Sequence, residues 1–189
     1  MKIYYEHHYG RMTDCDFSFC TVHAKDVSDL EEGYALENGW TRDEEENRGD
    51  LWWQTRSTRL DVSKFKFNRK TRKMLKPAVG IETVFKPARE CNLQELKEVY
   101  YKYSNYKNYP IEDNYIEDCL KDIDQKCVGE YREDGILRGY VICRIHHKSA
   151  KAMTSIQFCW DYENPKMFLG KFSVVKEIEY AKSKGFNWV

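Results

Sequence analysis

Residues 127–162 read CVGEYREDGILRGYVICRIHHKSAKAMTSIQFCWDY. Three apolar-rich runs of strand length lie in this stretch, separated by Glu133-Asp134-Gly135 and by residues 148–152. A Gly-terminated acidic turn between such runs is a hairpin signal, so the stretch predicts an antiparallel three-stranded meander. Downstream, a helix over about 171–184 places Phe172, Val175, Ile178 and Tyr180-Ala181 on one face and stops at Gly185. FNWV at 186–189 then opens another strand. Upstream, Asn92 caps LQELKEVYYKY, with apolar positions at 93, 96, 99, 100 and 103. A further helix over about 114–124 turns Tyr115, Ile116, Leu120 and Ile123 inward. LWWQTRSTRLDV at 51–62 reads as a strand, and a helix over roughly 68–76 follows it, ended by Pro77. Ser28 and Glu31 form a capping box for a helix that stops at Asn38-Gly39. Residues 1–25 are rich in His, Cys and aromatics and show no clear period.

The order is therefore helix, strand, helices, meander, helix, strand. It predicts an α/β chain with a mixed central sheet and flanking helices. That order matches the acetyltransferase-like (GNAT) architecture, in which a meander is followed by a helix and a parallel-paired strand. The expected division is an N-terminal His/Cys/aromatic segment, 1–27, and an acetyltransferase-like domain, 28–189, whose final strand is incomplete at Val189.

Charge is the second signal. The chain has 31 basic and 31 acidic residues and no formal net charge. Between Arg56 and Lys76, nine bases (Arg56, Arg59, Lys64, Lys66, Arg69, Lys70, Arg72, Lys73, Lys76) face one acid, Asp61, a local charge of +8. Concentrated positive charge in a neutral chain points to a polyanion, nucleic acid above all. A solvated helix face is the alternative. Mean hydropathy is −0.79, no apolar run approaches the ~20 residues of a bilayer span, and MKIYYEHHYG lacks the apolar core of a secretory signal. The expectation is a cytoplasmic protein with no membrane partner. Seven cysteines, an odd number, predict reduced thiols, with Cys143 and Cys159 in the core. Cys15, Cys20 and His23, with His7 and His8 nearby, are the only metal candidates, and Cys-x4-Cys is not a zinc spacing, so no metal is expected. His146 and His147, at a strand end, are expected at the surface.

Two motifs resemble the arginyl/leucyl-tRNA–protein transferase family. The first has the form Arg-Val-x-Val-x-x-Phe-x-x-Ser-x-x-x-Arg-Arg-x-Leu, and Arg59, Val62, Phe65, Arg72, Lys73 and Leu75 fall in its register. The second reads Ser-Leu-Gly-Thr-Tyr-Ser, then a helix with Glu-Ile-x-x-Ala, then Gly and a strand. FLGKFSVVKEIEYAKSKGFNWV matches it at Leu169, Gly170, Ser173, Glu177, Ile178, Ala181 and Gly185. Between them, FCWDY resembles the family's Phe-Tyr-Asp-Pro strand end and LEEGYALENGW its helix ending in Gly-Trp/Phe. Thr55 and Trp52 stand where the family has Cys, and Phe168 stands where it has Ser before Leu-Gly.

The resemblance implies the GNAT fold and transfer of an amino acid from aminoacyl-tRNA to the N-terminal amine of a protein or peptide. Aminoacyl-tRNA is then the co-substrate and no cofactor is implied. Such a transfer needs proximity, a route for the amine proton and donors for the oxyanion. Backbone at Leu169, Gly170 and Lys171 is the candidate ester site, since a helix start offers free N–H groups and Gly170 permits close approach. Arg59, with Arg56 and Asp161, is the candidate for acceptor recognition. Arg56 and Arg59 are three apart in the expected strand and face opposite sides, and the family register favours Arg59. Arg69, Lys70, Arg72, Lys73 and Lys76 are the candidate tRNA contacts, with Trp52, Trp53, Phe65 and Phe67 as core residues or base-stacking platforms. Two alternatives stay open: an acetyl-CoA-dependent N-acyltransferase, against which the single Gly of ENPKMFLGKFS counts, and a non-catalytic transferase fold binding RNA or protein.

Overall fold

The meander defines the larger of two compact units. A computed structural model describes residues 1–12, 15–43, 51–55, 58–146, 150–163 and 165–189. The side chains of residues 11, 12, 15 and 17 are not described. The first unit comprises Met1–Arg59 with His147–Ala150, and the second Leu60–His146 with Lys151–Val189. The first unit thus takes in the helix and strands that follow segment 1–27.

In the first unit, β1 (Lys2–Met12) and β2 (Cys15–Lys25) pair antiparallel from Lys2↔Lys25 to Met12↔Cys15. This hairpin was not expected from the sequence. Exposed Ile3, Tyr5 and Tyr9 lie on one of its faces and exposed Tyr4 on the other, so apolar and polar residues do not alternate. α1 (Asp29–Glu37) starts at the expected capping box: the Ser28 N–H donates to Glu31 at 2.9 Å and the Ser28 hydroxyl at 2.8 Å. β3 (Trp40–Arg42) and β4 (Trp52–Gln54) complete the order β1-β2-β4-β3. Ala24, Ala35, Trp40 and Trp52 form its small core. The strand expected over 51–62 is broken: it ends at Gln54, and Arg59 lies outside any strand.

The second unit holds the four-stranded antiparallel sheet β5-β6-β7-β8. The expected meander is β6 (Lys126–Glu133), β7 (Ile136–His146) and β8 (Ala152–Trp160). β5 (Glu82–Pro87), too short to stand out in sequence, pairs with β6. The C-terminal residues extend the sheet. Trp188 bridges Ala152 in parallel and Asp61 antiparallel, and Met153 N–H donates to Trp188 O at 3.0 Å. This parallel bridge is the expected pairing of the last strand.

Helices cover both faces. α5 (Leu169–Ser183) buries Phe172, Val175 and Ile178, and Phe172 and Ile178 pack with Tyr131, Val141 and Cys143. Burying a side chain of this size contributes ~1.5–3 kcal/mol. α3 (Leu93–Lys107) and α4 (Tyr115–Cys119) cover the other face through Leu96, Val99 and Ile116, against Tyr140 and Ile142. Asn92 Oδ1 caps α3 by accepting from the N–H groups of Gln94 and Glu95 at 3.1 and 3.4 Å. The helix expected over 114–124 ends at Cys119. Asp122 is left-handed (φ 56°), which breaks the helical path before a 3-10 turn at Ile123–Gln125. His146 is buried rather than exposed, its Nε2 3.0 Å from the Thr154 hydroxyl oxygen. His147 lies outside the described residues. Cys143 and Cys159 are in the core as expected.

Candidate functional site

The two motifs, about a hundred residues apart in sequence, meet in the second unit. Val62 N–H donates to Asn187 O at 3.0 Å, and Leu60 and Val189 exchange backbone hydrogen bonds at 2.7 and 3.1 Å. After residue 62 a 3-10 turn, Val62–Lys64, leads to α2 (Arg69–Leu75). Asn68 sets the start of α2: its Oδ1 accepts from Lys70 and Thr71 N–H at 2.9 and 3.1 Å. α2 packs against α5. A groove of about 340 Å³ is lined by Lys70, Lys73, Met74, Pro77, Phe168 and Lys171.

Phe168 precedes α5 in the left-handed region, φ 51°, and no side chain caps the helix. That backbone is costly for a bulky residue and marks the helix start as a place where strain is retained. The N–H groups of Lys171 and Phe172 both donate to Phe168 O, at 3.0 and 3.3 Å, while those of Leu169 and Gly170 have no acceptor among the described residues. A Cβ at Gly170 would meet only Phe158 Cε1, at 3.7 Å.

The groove lysines differ from Arg132, Arg138 and Lys86 of the same unit, which are paired. Arg132 donates to Glu95 at 2.7 and 3.1 Å and to Glu130 at 2.9 Å. Arg138 donates to Glu133, Asp161 and Glu163, and Lys86 pairs with Glu130 at 2.8 Å. Lys70, Lys73, Arg69, Arg72, Lys76 and Lys171 have no ion-pair partner among the described residues. Positive charge left uncompensated along a groove focuses field on an anionic ligand.

Below α5 lies a buried polar chain. Tyr131 O–H reaches Ser173 Oγ at 2.8 Å, and Ser173 Oγ donates to Glu177 Oε1 at 2.6 Å. The Ser173 proton is thereby committed, so Tyr131 is the donor to it. The second Glu177 oxygen accepts from Ser155 Oγ. Burial, and then the Glu177 charge, hold the Tyr131 phenol well above its usual range. Beside it, Cys127 and Cys143 face each other across β6 and β7. Their mutual hydrogen bond is the largest influence on each, lowering Cys127 and raising Cys143.

The expected site residues distribute as follows. Lys70, Lys73 and Lys171 line the groove, with Leu169 and Gly170 at the adjoining helix start. Arg69 and Arg72 are exposed on α2, and Lys76 begins the 3-10 turn Lys76–Ala78. Asp161 is buried and held by Arg138 Nη1 at 3.2 Å, with its N–H on Arg138 O at 2.8 Å. Arg59 belongs to the first unit and is exposed. Arg56 lies outside the described residues. Trp52 is core; Trp53 donates its indole N–H to Asp43 at 2.6 Å and packs edge-on to His23. Phe65 packs on the core and meets Phe67 edge-on at 5.2 Å. Cys20 is exposed with Sγ on Thr21 O at 3.6 Å, and His23 is buried beside Thr21 and Glu6, on the opposite face of β2. The Cys15 side chain is not described. Among the described residues no three His, Cys, Asp or Glu side chains converge as a metal site. The sequence reading missed the apolar walls Met74, Pro77 and Phe168, and it noted Ser173 and Glu177 only as register marks. Their i, i+4 spacing was the available signal.

The fold is acetyltransferase-like, an α/β chain with flanking helices. Among solved structures the chain is similar to the C-terminal domain of a chain assigned as lysylphosphatidylglycerol synthetase from Agrobacterium fabrum, at TM-score 0.56 and 14% identity. It is likewise similar to L-PGS from Bacillus licheniformis, at TM-score 0.55 and 10% identity. Each match covers 69% of this chain and 43% of the solved one, so the chain spans less than half the length of either. No protein-family model and no curated protein matches the chain. Among the described residues no helix is long and apolar enough to cross a membrane.

Proposed function

We propose that this chain transfers an amino acid from aminoacyl-tRNA to an amine. The observation that carries the reading is the α2–α5 groove, where three lysines adjoin the Leu169 and Gly170 N–H groups at the α5 start, none of them with a partner among the described residues. Phosphates of a tRNA acceptor end suit the lysines and helix start, and Met74, Pro77 and Phe168 suit the face of a base. Arg69, Arg72 and Lys76 extend the positive charge for duplex backbone. The motif resemblance favours aminoacyl-tRNA as donor, and the name of one solved neighbour, lysylphosphatidylglycerol synthetase, describes a lysyl group joined to a lipid. For the acceptor we keep the N-terminal amine of a protein or peptide. The setting is cytoplasmic.

The test is transfer of radiolabelled Arg or Leu from charged tRNA to peptides with varied N-termini, run beside phosphatidylglycerol vesicles. Labelled peptide supports the reading. Label on lipid alone replaces the acceptor and keeps the donor. Binding of coenzyme A in place of tRNA rejects the donor.

A further inference from the structure

Ser155 stands where β8 is irregular. Ile142 pairs with Gln157 but Cys143 pairs with Ser155, so Ile156 has no counterpart and the strand carries a bulge. Bulges re-aim side chains and recur beside active sites. Ser155 is exposed, yet its hydroxyl donates to a carboxylate that is only 4% exposed, that of Glu177. Both Glu177 oxygens are taken by hydroxyls, from Ser155 and Ser173, and no cation among the described residues pairs with it. A buried carboxylate held only by neutral donors is expensive for the fold. The chain of donors also has one direction. Tyr131 donates to Ser173, Ser173 to Glu177 and Ser155 to Glu177, so Glu177 is the common acceptor and Ser155 its single exposed branch.

The position suits aminoacyl transfer. Glu177 lies seven residues after Gly170 in α5, about 10 Å along the helix axis. Phe158, three residues beyond Ser155 on β8, is what a Cβ at Gly170 would touch. A terminal nucleotide with its phosphate at the α5 start and its ester directed along β8 would bring the carbonyl toward Ser155.

We infer that Ser155 is the proton-accepting residue for the attacking amine and that Glu177 acts through it as the positioning residue. This rests on the aminoacyl-transfer reading above. In the step, the neutral amine attacks the ester carbonyl and the new N–C bond forms. An amine proton passes to Ser155 Oγ while the Ser155 proton passes to Glu177. The C–O bond to the ribose breaks, and the proton returns through Ser155 to the leaving 3′ oxygen. Amide and free tRNA 3′-hydroxyl result, with no co-reactant and Glu177 restored.

The experiment measures charged-tRNA binding, and kcat and KM for a peptide amine, for the full chain and for S155A, E177Q and E177A. E177Q and S155A should lower kcat by about a hundredfold at unchanged tRNA affinity and unchanged KM. Formate should restore part of the rate to E177A and none to S155A. A structural role for Glu177 would not be rescued by a soluble carboxylate. E177Q or S155A at the wild-type rate overturns the inference, as does a loss of tRNA affinity in step with rate. If E177Q fails to fold, S155A, altered at a residue exposed on β8, decides. A wild type that binds tRNA but transfers nothing to amines overturns the function itself, and this role with it.

Discussion

The Val62 N–H donates to the Asn187 carbonyl at 3.0 Å, tying the basic segment to the chain's last strand. Through this bond the Val62 side chain is buried beside Phe172 and Ile178 of α5. The turn that follows therefore delivers α2 to the start of α5. Two sequence segments that look independent are two walls of one groove.

Replacing Lys70 and Lys73 with Glu should weaken tRNA binding by well over tenfold and reduce the salt dependence. Both side chains line the groove and are exposed, so the fold should not change. Each lost phosphate contact should lower the log–log salt slope by ~0.7–0.9. Arg69→Glu with Arg72→Glu, outside the groove lining, should weaken binding similarly without affecting a bound mononucleotide. Filter binding across a salt series measures both, and an unchanged slope in each pair would reject a nucleic-acid role for α2.

Asn68→Ala removes the acceptor for the Lys70 and Thr71 N–H groups. Loss of such a cap costs about 1 kcal/mol, roughly 2–4 °C in a chain of this size. Because α2 has seven residues, its first turn should fray, and tRNA affinity should fall more than the melting temperature suggests. Asn92→Ala, at the cap of the longer α3, should cost similar stability and leave tRNA affinity unchanged. Melting curves and binding isotherms on both variants separate the two effects.

What the sequence disclosed follows from local physics. The meander, the Ser28–Glu31 box and the Asn92 cap depend on neighbours in sequence, and all were legible. The β1–β2 hairpin was not, because exposed aromatics on both faces erase the period of two. The strand through Arg59 was overextended because alternation continues past Gln54, whereas pairing, decided by distant partners, stops there. The groove was half legible. Charge density marked α2, but which cations face α5 depends on the Val62–Asn187 pairing, and the Ser155–Glu177 contact spans two elements that no motif joins.

Asp61 opens the turn before α2, and its carboxylate is lowered from 3.8 to about 2 by the Ser63 hydroxyl first, then by Lys64 and the Ser63 N–H. A depressed acid contributes stability that is full above its unfolded value and lost as pH falls through its folded value. The Asp61 contribution should therefore be complete above about pH 3.8 and fade toward pH 2. Asp61→Asn should melt below the wild type at neutral pH, and the gap should close across that window. A gap that persists at pH 2 would assign the effect to packing instead.

Arg59 provides the test of acceptor choice. A charge-assisted pair with an acidic first residue contributes roughly 1.5–3 kcal/mol, tenfold to a hundredfold in discrimination. Arg59→Ala should erase the preference for peptides beginning with Asp or Glu over Asn or Ala, and lower the neutral rates little. A uniform fall on all four peptides, with a lower melting temperature, would make Arg59 a structural residue.

Two glycines of the second unit should respond in opposite ways. At Gly139, on β7, a Cβ would lie 2.9 Å from Trp160 Cβ and 3.1 Å from the Cys159 carbonyl oxygen. Neither neighbour can yield without moving β8, so Gly139→Ala should cost about 1–3 kcal/mol and lower the melting temperature by several degrees. At Gly170 the added atom meets only the Phe158 ring edge at 3.7 Å, ordinary contact distance. Gly170→Val should therefore melt within about 2 °C of the wild type, since helical backbone accepts Val with little penalty. Its branched side chain would nevertheless cover the N–H groups that adjoin the groove. Misplacing the acceptor end by about an ångström costs on the order of a hundredfold in rate, and transfer by Gly170→Val should fall by at least that much. Full activity in the variant would remove the α5 start from the site. A large loss of stability would instead mean that the space above Gly170 belongs to the chain's own packing.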